Sequence, residues 1–203
     1  MAIRKRSRHS VPPATTIRRK KRRRKMKRHI VMIGMMGAGK TAIGSELARR
    51  LHVPFTDSDA EIESAAAMSI SEIFARDGEA FFRDRETQVL SRILKGPPGV
   101  VSTGGGAWMQ AGNRELIRAH GLSVWLNCDL ETLWHRVRQR STRPLLKTAD
   151  PKGTLARLLE QRAPVYAGAD VTFEARADDS IEAAATRLID QLRGIVPEFP
   201  EAK

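Results

Sequence analysis

The sequence predicts an α/β fold in which a five-stranded parallel sheet carries helices on both faces. Short apolar runs and helical patterns alternate five times along the chain, which is typical of parallel strands joined by helical crossovers. The first apolar run leads directly into a glycine-rich stretch, residues 34–41, and then into a helix. Carboxylates or glycines follow two further runs, so functional groups should collect at the carboxyl edge of the sheet.

The composition suits one domain of ordinary size with a tail, because the chain has 203 residues. Cys128 is the single cysteine, which excludes an intrachain disulfide and favours a reducing compartment, so we expect a cytoplasmic protein. No apolar run approaches the roughly 18 residues of a membrane-spanning helix, so we expect a soluble chain without a membrane partner.

The net charge of +13 is concentrated at one end of the chain. Residues 1–29 hold 14 of the 36 Lys and Arg residues and no Asp or Glu, which leaves a net charge of −1 for residues 30–203. We therefore predict a disordered basic arm over 1–29, a folded domain over 30–196 and a frayed tail over 197–203.

Three interpretations of the basic arm stay open. It could be a solvated tail, or an upstream extension of the reading frame before Met26. It could contact nucleic acid or an anionic surface through phosphate groups alone, or it could be an arginine-rich transit peptide. We favour the first of these, a solvated tail or an upstream extension.

Residues 34–41 fit the template G-x-x-x-x-G-K-[ST] of a phosphate-binding loop, between a predicted strand over 30–33 and a helix. In such a loop backbone N–H groups hold the polyphosphate, and the helix N-terminus adds a favourable dipole. Lys40 would reach the β- and γ-phosphates, and the Thr41 hydroxyl would bind Mg²⁺. The alternative is a glycine-rich turn without a ligand.

Residues 53–56 predict a second strand, which is followed by Asp57 and Asp59. Carboxylates at positions i and i+2 point the same way, here toward the phosphate-binding loop, so they could meet magnesium and an acceptor hydroxyl. The alternative is that one of them only caps the following helix.

Gly78 interrupts the next helical pattern, and a longer helix is predicted over 79–94. Its buried face is marked by Phe82, Val89 and Ile93. Arg83 and Glu86 are three residues apart on this helix, a spacing typical of a surface ion pair.

A third strand, over 100–103, ends in three glycines at 104–106. Their lack of side chains indicates close approach of the backbone to a substrate, whereas the alternative is a flexible turn. No Asp ends this strand, so a standard Walker B carboxylate is missing. Asp57 must therefore be considered as the carboxylate that acts near Mg²⁺.

The second half of the chain predicts a helix over 113–120, a strand over 122–126 and a helix capped by Asp129. Residues 141–151 are basic, proline-punctuated and too long for a simple connection. They predict a lid that would bring Arg143 to the transferring phosphate, with a solvated loop as the alternative.

The remaining elements complete the alternating pattern. They are a helix over 154–162 that ends before Pro164, a fifth strand over 170–174 and a terminal amphipathic helix over 180–192.

Taken together, these motifs resemble the shikimate kinase family over about residues 30–193, which implies the phosphate-binding-loop (P-loop) kinase fold with a lid. The motifs that carry the resemblance are GMMGAGKT (34–41), Asp57 with Asp59, FRDRE (82–86), GGG (104–106), RPLL (143–146) and RAPVY (162–166). Each motif is short, but their order and spacing together are specific. The basic arm lies outside the resemblance.

The resemblance implies transfer of the γ-phosphoryl group of ATP to the 3-hydroxyl of shikimate with Mg²⁺, a step toward chorismate and the aromatic amino acids. It implies a nucleotide-binding set of Gly37, Ala38, Gly39, Lys40, Thr41, Ala42 and Arg143. Lys40 and Arg143 would neutralise the transferring oxygens. Thr41 would be a magnesium ligand, and Asp57 would hold water on the metal.

On the acceptor side, the resemblance implies that Arg83 and Arg162 clamp the carboxylate of shikimate, since a guanidinium can bind a carboxylate through two parallel hydrogen bonds. Asp59 would hold the ring hydroxyls and act as the base, and the backbone of Gly105 would donate to the substrate. The turn over 176–179 departs from the polar or basic residue that family members often place near adenine.

Two other functions compete with this interpretation. A gluconate or nucleotide kinase would share the loop and the lid, but a nucleotide kinase would not need two arginines converging on a small acid. A nucleic-acid-binding protein with a nucleotide switch would use the basic arm, which the nearly neutral domain argues against. We expect ATP and shikimate as partners of a monomeric enzyme.

Overall fold

The computed structural model describes residues 26–138, 144–146, 148–197 and 199–200. Residues 1–25 of the predicted basic arm, residues 141–143 and 147 of the predicted lid, and residues 198 and 201–203 of the predicted tail lie outside the described residues, so Arg143 is not described. No helix in the described part of the chain is long and apolar enough to cross a membrane.

The five strands form one parallel sheet in the order β2-β3-β1-β4-β5, which confirms the predicted architecture. The strands are β1 (His29–Ile33), β2 (Phe55–Asp57), β3 (Val100–Ser102), β4 (Gly121–Asn127) and β5 (Val171–Glu174). All five residues of β1 are buried, as expected for the central strand of a sheet covered on both faces.

Seven α-helices connect and follow the strands of the described chain. They are α1 (Lys40–Leu51), α2 (Ser58–Ala66), α3 (Ile70–Leu94), α4 (Ala111–His120), α5 (Leu130–Val137), α6 (Pro151–Tyr166) and α7 (Ile181–Ile195). Short 3-10 helices lie at Ala107–Met109 and Pro144–Leu146. The core is formed largely by the apolar residues of β1, β3 and β4 and by the helix faces that pack on them.

The strand order creates a crevice at the carboxyl end of β1. The connection after β1 runs to β2 at one edge, whereas the connection after β3 crosses β1 to reach β4. Because such crossovers are right-handed, α1 and α4 cover opposite faces, in agreement with the packing of α1 on α7 and of α3 on α4. The loops after β1 and β3 therefore diverge, and ligands bind at such a switch point.

Helix α6 differs most from its predicted bounds. It begins at Pro151, where Asp150 caps the helix by accepting a hydrogen bond from the Gly153 N–H at 2.9 Å. Pro at the first helical position is favourable, so Asp150 and Pro151 start the helix and do not belong to a longer loop. The helix was predicted to end before Pro164, but Pro164 lies inside its last turn, and the helix ends two residues later, at Tyr166.

The predicted interruption at Gly78 is confirmed, because α3 is kinked at that residue. A capping box of Ser69 and Glu72 begins the helix, and Gly78 breaks its regular geometry with φ of 82° and ψ of 174°. The predicted buried face is partly wrong: Val89 and Ile93 are only half-buried. The buried residues after the kink are Phe82, Glu86, Leu90 and Leu94, spaced by four.

The end of the described chain packs on the domain. Phe199, in the segment predicted as a frayed tail, is buried against the core. At the other end, Met26 packs on the core before β1 begins at His29.

Candidate active site

The loop between β1 and α1 has the backbone conformation that phosphate binding requires. Gly37 and Gly39 have φ of 83° and 99°, values that other residues rarely adopt. A Cβ at Gly37 would also lie 2.7 Å from Val137 Cγ1, so the loop passes close under α5. Gly39 precedes the first residue of α1, so the loop delivers its N–H groups to a helix N-terminus.

Lys40 opens α1 and is largely buried. Its Nζ donates to the carbonyl oxygens of Gly34 at 3.0 Å and Met35 at 2.9 Å. The ammonium group is therefore folded over the loop, on the side where its backbone would meet phosphate oxygens.

Thr41, Asp57 and Ser102 form a cluster of oxygen donors beside the loop. The Thr41 hydroxyl donates to Asp57 Oδ2 at 2.8 Å and lies 3.4 Å from Ser102 Oγ. The pairing of β2 with β3 puts Asp57 opposite Ser102. Ser102 ends β3 where a Walker B carboxylate would stand, so Asp57 on the neighbouring strand is the acidic member of the cluster.

Asp57 caps α2 with one carboxylate oxygen and binds Thr41 beside the phosphate-binding loop with the other. Its Oδ1 accepts from the backbone N–H groups of Asp59 at 3.0 Å and Ala60 at 3.4 Å, which caps α2. Its Oδ2 remains for Thr41. Helix capping therefore orients the carboxylate toward the phosphate-binding loop.

Arg83 and Glu86 form a buried ion pair, and the predicted surface pair is wrong. Arg83 Nη1 lies 2.8 Å from Glu86 Oε2, and the two side chains are 16% and 0% exposed. Glu79 binds the other side of the guanidinium at 3.0 Å. Glu86 lies on the buried face of α3, one turn from Phe82 and one turn from Leu90, and that face packs on the rest of the domain.

Side chains crowd against two of the three glycines after β3, Gly104 and Gly106. A Cβ at Gly104 would lie 2.6 Å from Asp59 Oδ1 and 2.9 Å from Glu86 Oε1. A Cβ at Gly106 would lie 2.6 Å from Arg83 Cζ. The turn is therefore not merely flexible, since its bare backbone is the surface on which these charged groups converge.

Helix α6 reaches the same turn from the other side. Arg162 Nη1 donates to the Gly105 carbonyl oxygen at 3.4 Å, and the Tyr166 hydroxyl also donates to it. Tyr166 is fully buried and stacks on Trp125, with ring centroids 6.0 Å apart. Burial raises the pKa of Tyr166 to about 12, so the hydroxyl keeps its proton and remains a donor.

A cavity of about 680 Å³ runs along the phosphate-binding loop toward the turn after β5. It is lined by most of the predicted nucleotide and metal residues: Gly37, Gly39, Lys40, Thr41, Ala42 and Asp57. Asp59 and Gly105 line it as well, whereas the predicted substrate residues Arg83 and Arg162 are not among the residues that line it. Ala38 does not line it, because its side chain is fully buried.

Arg136 of α5 lines the same cavity and was not singled out by the sequence. Its guanidinium donates to the carbonyl oxygens of Gly37 at 3.4 Å and Arg176 at 3.2 Å. It thereby joins the phosphate-binding loop to the turn over 176–179, where Arg176, Ala177 and Asp179 line the far end of the cavity.

Glu86, Tyr166 and Ser102 were also not proposed as site residues. For Glu86 a signal was present, since it occupies the middle of an apolar series at 82, 86, 90 and 94. A carboxylate in such a series must be buried, and a buried carboxylate needs a partner. Tyr166 and Ser102 carried no comparable signal, because their roles depend on contacts with Gly105 and Thr41, far away in sequence.

The fold and the site together define a class of protein. A parallel sheet in the order 2-3-1-4-5, a phosphate-binding loop after the central strand and a hydroxyl–carboxylate pair beside it belong to P-loop kinases. Two half-buried arginines, Arg83 and Arg162, lie beside the glycine turn next to this loop.

Comparison with known proteins identifies the family. The model of the shikimate kinase family matches residues 36–193. A shikimate kinase of Cereibacter sphaeroides is 59% identical over 168 residues, which are 83% of this chain and 84% of that protein. The chain belongs to the shikimate kinase family and is an ATP-dependent kinase.

Solved structures agree with this assignment. A shikimate kinase from Acinetobacter baumannii in complex with shikimate superposes with a TM-score of 0.81 and 36% identity, over 84% of this chain and 95% of that chain. A gluconokinase from Sinorhizobium meliloti 1021 superposes with a TM-score of 0.51 and 20% identity, over 83% of this chain and 97% of that chain. The second likeness reflects the common fold alone.

Proposed function

We propose that the chain transfers the γ-phosphoryl group of ATP to the 3-hydroxyl of shikimate, giving 3-phosphoshikimate and ADP. The observation that carries the proposal is the convergence of two guanidinium groups on the glycine turn beside the phosphate-binding loop. Arg83 approaches Gly106 from α3, and Arg162 approaches Gly105 from α6. Two guanidiniums on opposite sides of a small site match one carboxylate on a small ring.

In this proposal the ATP phosphates lie along residues 37–42, held by the backbone N–H groups and the N-terminus of α1. Lys40 exchanges its contacts with the Gly34 and Met35 carbonyl oxygens for contacts with phosphate oxygens. Arg143, outside the described residues, would add a second cation at the transferring group. Arg136 and the turn over 176–179 would contact the nucleoside.

Magnesium fits the oxygen donors beside the loop. Mg²⁺ prefers hard oxygen ligands and usually retains several waters, and Thr41 Oγ1 lies within 2.8 Å of a carboxylate oxygen of Asp57. We propose that Thr41 binds the metal directly and that Asp57 holds one of its waters. When bound, the metal would neutralise charge on the β- and γ-phosphates.

On the acceptor side, Arg83 and Arg162 would orient shikimate so that its 3-hydroxyl faces the γ-phosphate. Asp59 would accept the proton of that hydroxyl, and its Oδ1 lies against Gly104 at the boundary between the cavity and the arginine cluster. The Gly105 N–H would donate to the substrate, with its carbonyl held by Tyr166 and Arg162. Rate enhancement then comes mainly from positioning and charge stabilisation.

The proposal is tested by coupled ADP release from the full chain with ATP, Mg²⁺ and shikimate. Gluconate and nucleoside monophosphates serve as alternative acceptors. We expect turnover that depends on shikimate and on Mg²⁺. Folded, ATP-binding protein without shikimate-dependent turnover would contradict the proposal.

The carboxylate clamp is tested by Arg162→Lys. A lysine keeps the charge but loses the two-pronged geometry, so we expect a severe rise in KM for shikimate or a severe loss of kcat, with ATP binding unchanged. Arg157→Lys is the matched control, because Arg157 is an exposed arginine of the same helix that binds Thr154. Unchanged kinetics in Arg162→Lys would refute the assigned clamp.

The role of the basic arm is tested separately. We propose that the arm is accessory, so a chain that begins at Met26 should turn over shikimate as fast as the full chain. Loss of activity in the shortened chain would show that the arm takes part in function.

A further inference from the structure

Glu86 is the one acidic side chain that is fully buried among the residues that the structure describes. It lies in the middle of α3, with Phe82 one turn before it and Leu90 one turn after it. Burying a carboxylate is costly unless the charge is compensated or the group takes up a proton. The proposed carboxylate clamp of Arg83 and Arg162 gives this glutamate no role.

The two carboxylate oxygens of Glu86 have different surroundings. Oε2 accepts from Arg83 Nη1 at 2.8 Å. Oε1 is buried and has no hydrogen-bond partner in the described chain, and it lies 2.9 Å from the position that a Cβ of Gly104 would take. Asp59 Oδ1 lies 2.6 Å from that same position. Glu86 thus has one oxygen committed to the clamp and one that faces a second carboxylate.

The charged and titratable groups that interact with Glu86 come from three helices. Arg83 is on its own helix, Asp59 is on α2, and Arg162 and Tyr166 are on α6. Tyr166 is neutral, so the two guanidinium charges face the carboxylates of Glu86 and Asp59. Glu79 also binds Arg83, at 3.0 Å, but it is 58% exposed, so solvent screens much of its charge. From α4, Arg114 turns to the carbonyl oxygens of Trp108 and Met109, away from the cluster.

The carboxylate of the substrate would add a further negative charge to this cluster. Where little water screens the charges, placing the substrate carboxylate a few ångströms from other carboxylates costs free energy unless its charge is compensated. Taking up one proton supplies that compensation. Glu86 suits this role because Oε1 can be protonated while Oε2 continues to accept from Arg83.

We infer that Glu86 takes up a proton from solvent when the substrate carboxylate binds to Arg83 and Arg162, and that it thereby positions the clamp without opposing the substrate charge. The O–H bond forms at Oε1, and the buffer acid loses the proton. This inference rests on the proposed function.

The electrostatics of the free protein agree with this role. Burial raises the pKa of Glu86 to about 7, with Asp59 adding to the rise and Arg83 and Arg162 opposing it. Glu86 is therefore largely ionised slightly above neutral pH and needs only a modest further rise to become protonated. Binding that takes up a proton weakens as pH rises, by up to about tenfold in Kd per pH unit above 7.

The test measures proton uptake directly. Shikimate is titrated into the full chain without nucleotide in an isothermal calorimeter, in buffers of different ionisation enthalpy. We expect uptake of more than about half a proton per shikimate at pH 7.5, falling toward zero near pH 5.5, where Glu86 is already protonated. Binding without proton uptake at pH 7.5 overturns the inference and leaves the proposed function standing. Absence of shikimate binding at every pH overturns both.

Two variants assign the proton to Glu86. Glu86→Gln should abolish the uptake and flatten the pH dependence of Kd, because the amide cannot titrate. Glu79→Gln is the matched control: Glu79 also binds Arg83, at 3.0 Å, but is 58% exposed, so its removal should leave the uptake intact. Uptake that persists in Glu86→Gln overturns the assignment.

Should Glu86→Gln fail to fold, infrared difference spectroscopy of the wild-type protein provides the same test. Binding of shikimate at pH 7.5 should produce a carbonyl band of a protonated carboxylic acid. A titration without such a band overturns the inference.

Discussion

Replacement of Gly104 by alanine tests the geometry on which the acceptor site depends. Gly104 has an unstrained backbone conformation, so the substitution acts only through the added methyl group. That group would lie 2.6 Å from Asp59 Oδ1 and 2.9 Å from Glu86 Oε1, both closer than a real Cβ ever approaches another atom. Asp59 is the proposed base, and Glu86 holds Arg83.

The size of the effect follows from these distances. Ordinary contact begins at 3.4 Å, so Asp59 Oδ1 must retreat by about 0.8 Å and Glu86 Oε1 by about 0.5 Å. A misplacement of roughly 1 Å can lower the rate about 10²-fold. That loss in kcat/KM corresponds to about 2.7 kcal/mol of transition-state stabilisation. The displaced atoms are side-chain ends, so the fold should lose much less.

The assay is steady-state kinetics with shikimate varied at saturating ATP, together with equilibrium binding of ATP alone. We expect kcat/KM for shikimate to fall about 10²-fold while the Kd of ATP stays within about twofold. Gly112→Ala is the matched control, because a Cβ at Gly112 would meet nothing within 4 Å. In the first turn of α4 the extra methyl group should leave kinetics unchanged and slightly stabilise the helix.

Wild-type kcat/KM in folded Gly104→Ala would refute the argument. It would mean either that Asp59 and Glu86 move without consequence or that neither group acts on the acceptor. An equal loss of ATP affinity would contradict the separation of the acceptor cluster from the phosphate-binding loop.

Three further predictions concern groups around the site and in the core. Tyr166→Phe removes a donor to the Gly105 carbonyl oxygen but keeps the buried ring, so KM for shikimate should rise several-fold with KM for ATP unchanged. A KM for shikimate equal to that of the wild type would contradict this prediction. Burial lowers the pKa of His29 below its usual value, so its contribution to stability is full above pH 6.5 and is lost as pH falls toward the lowered pKa. Urea unfolding should therefore show that the free energy of unfolding of the wild type exceeds that of His29→Gln by an amount that shrinks as the pH falls. Comparing the two proteins at each pH cancels the contributions of the other titrating groups. A difference that does not change with pH would contradict the prediction. Ser69→Ala breaks the capping box that begins α3 and should lower the free energy of unfolding by about 0.5–2 kcal/mol, measured by thermal or urea unfolding; an unchanged value would show that the cap is not formed in solution.

The sequence by itself determined the fold class, and it predicted the nucleotide side of the site from a local motif. The phosphate-binding loop is a local motif, because the glycines, Lys40 and Thr41 act through backbone conformation and a helix N-terminus within a few residues. Alternation of strand and helix likewise restricts the topology to a parallel sheet, since connections of this kind are right-handed. Family resemblance then supplied roles for Arg83 and Arg162 that spacing alone could not assign.

Only the tertiary structure decided how the acceptor side is arranged. Spacing predicted a surface pair for Arg83 and Glu86, but the packing of α3 on its neighbours buries Glu86 completely. By sequence Asp57 could be a helix cap or a functional carboxylate, and in the fold its Oδ1 caps α2 while its Oδ2 accepts from Thr41. The physical reason is common to these cases: burial, charge compensation and close approach to bare glycine backbone arise between residues distant in the chain, and no local pattern encodes them.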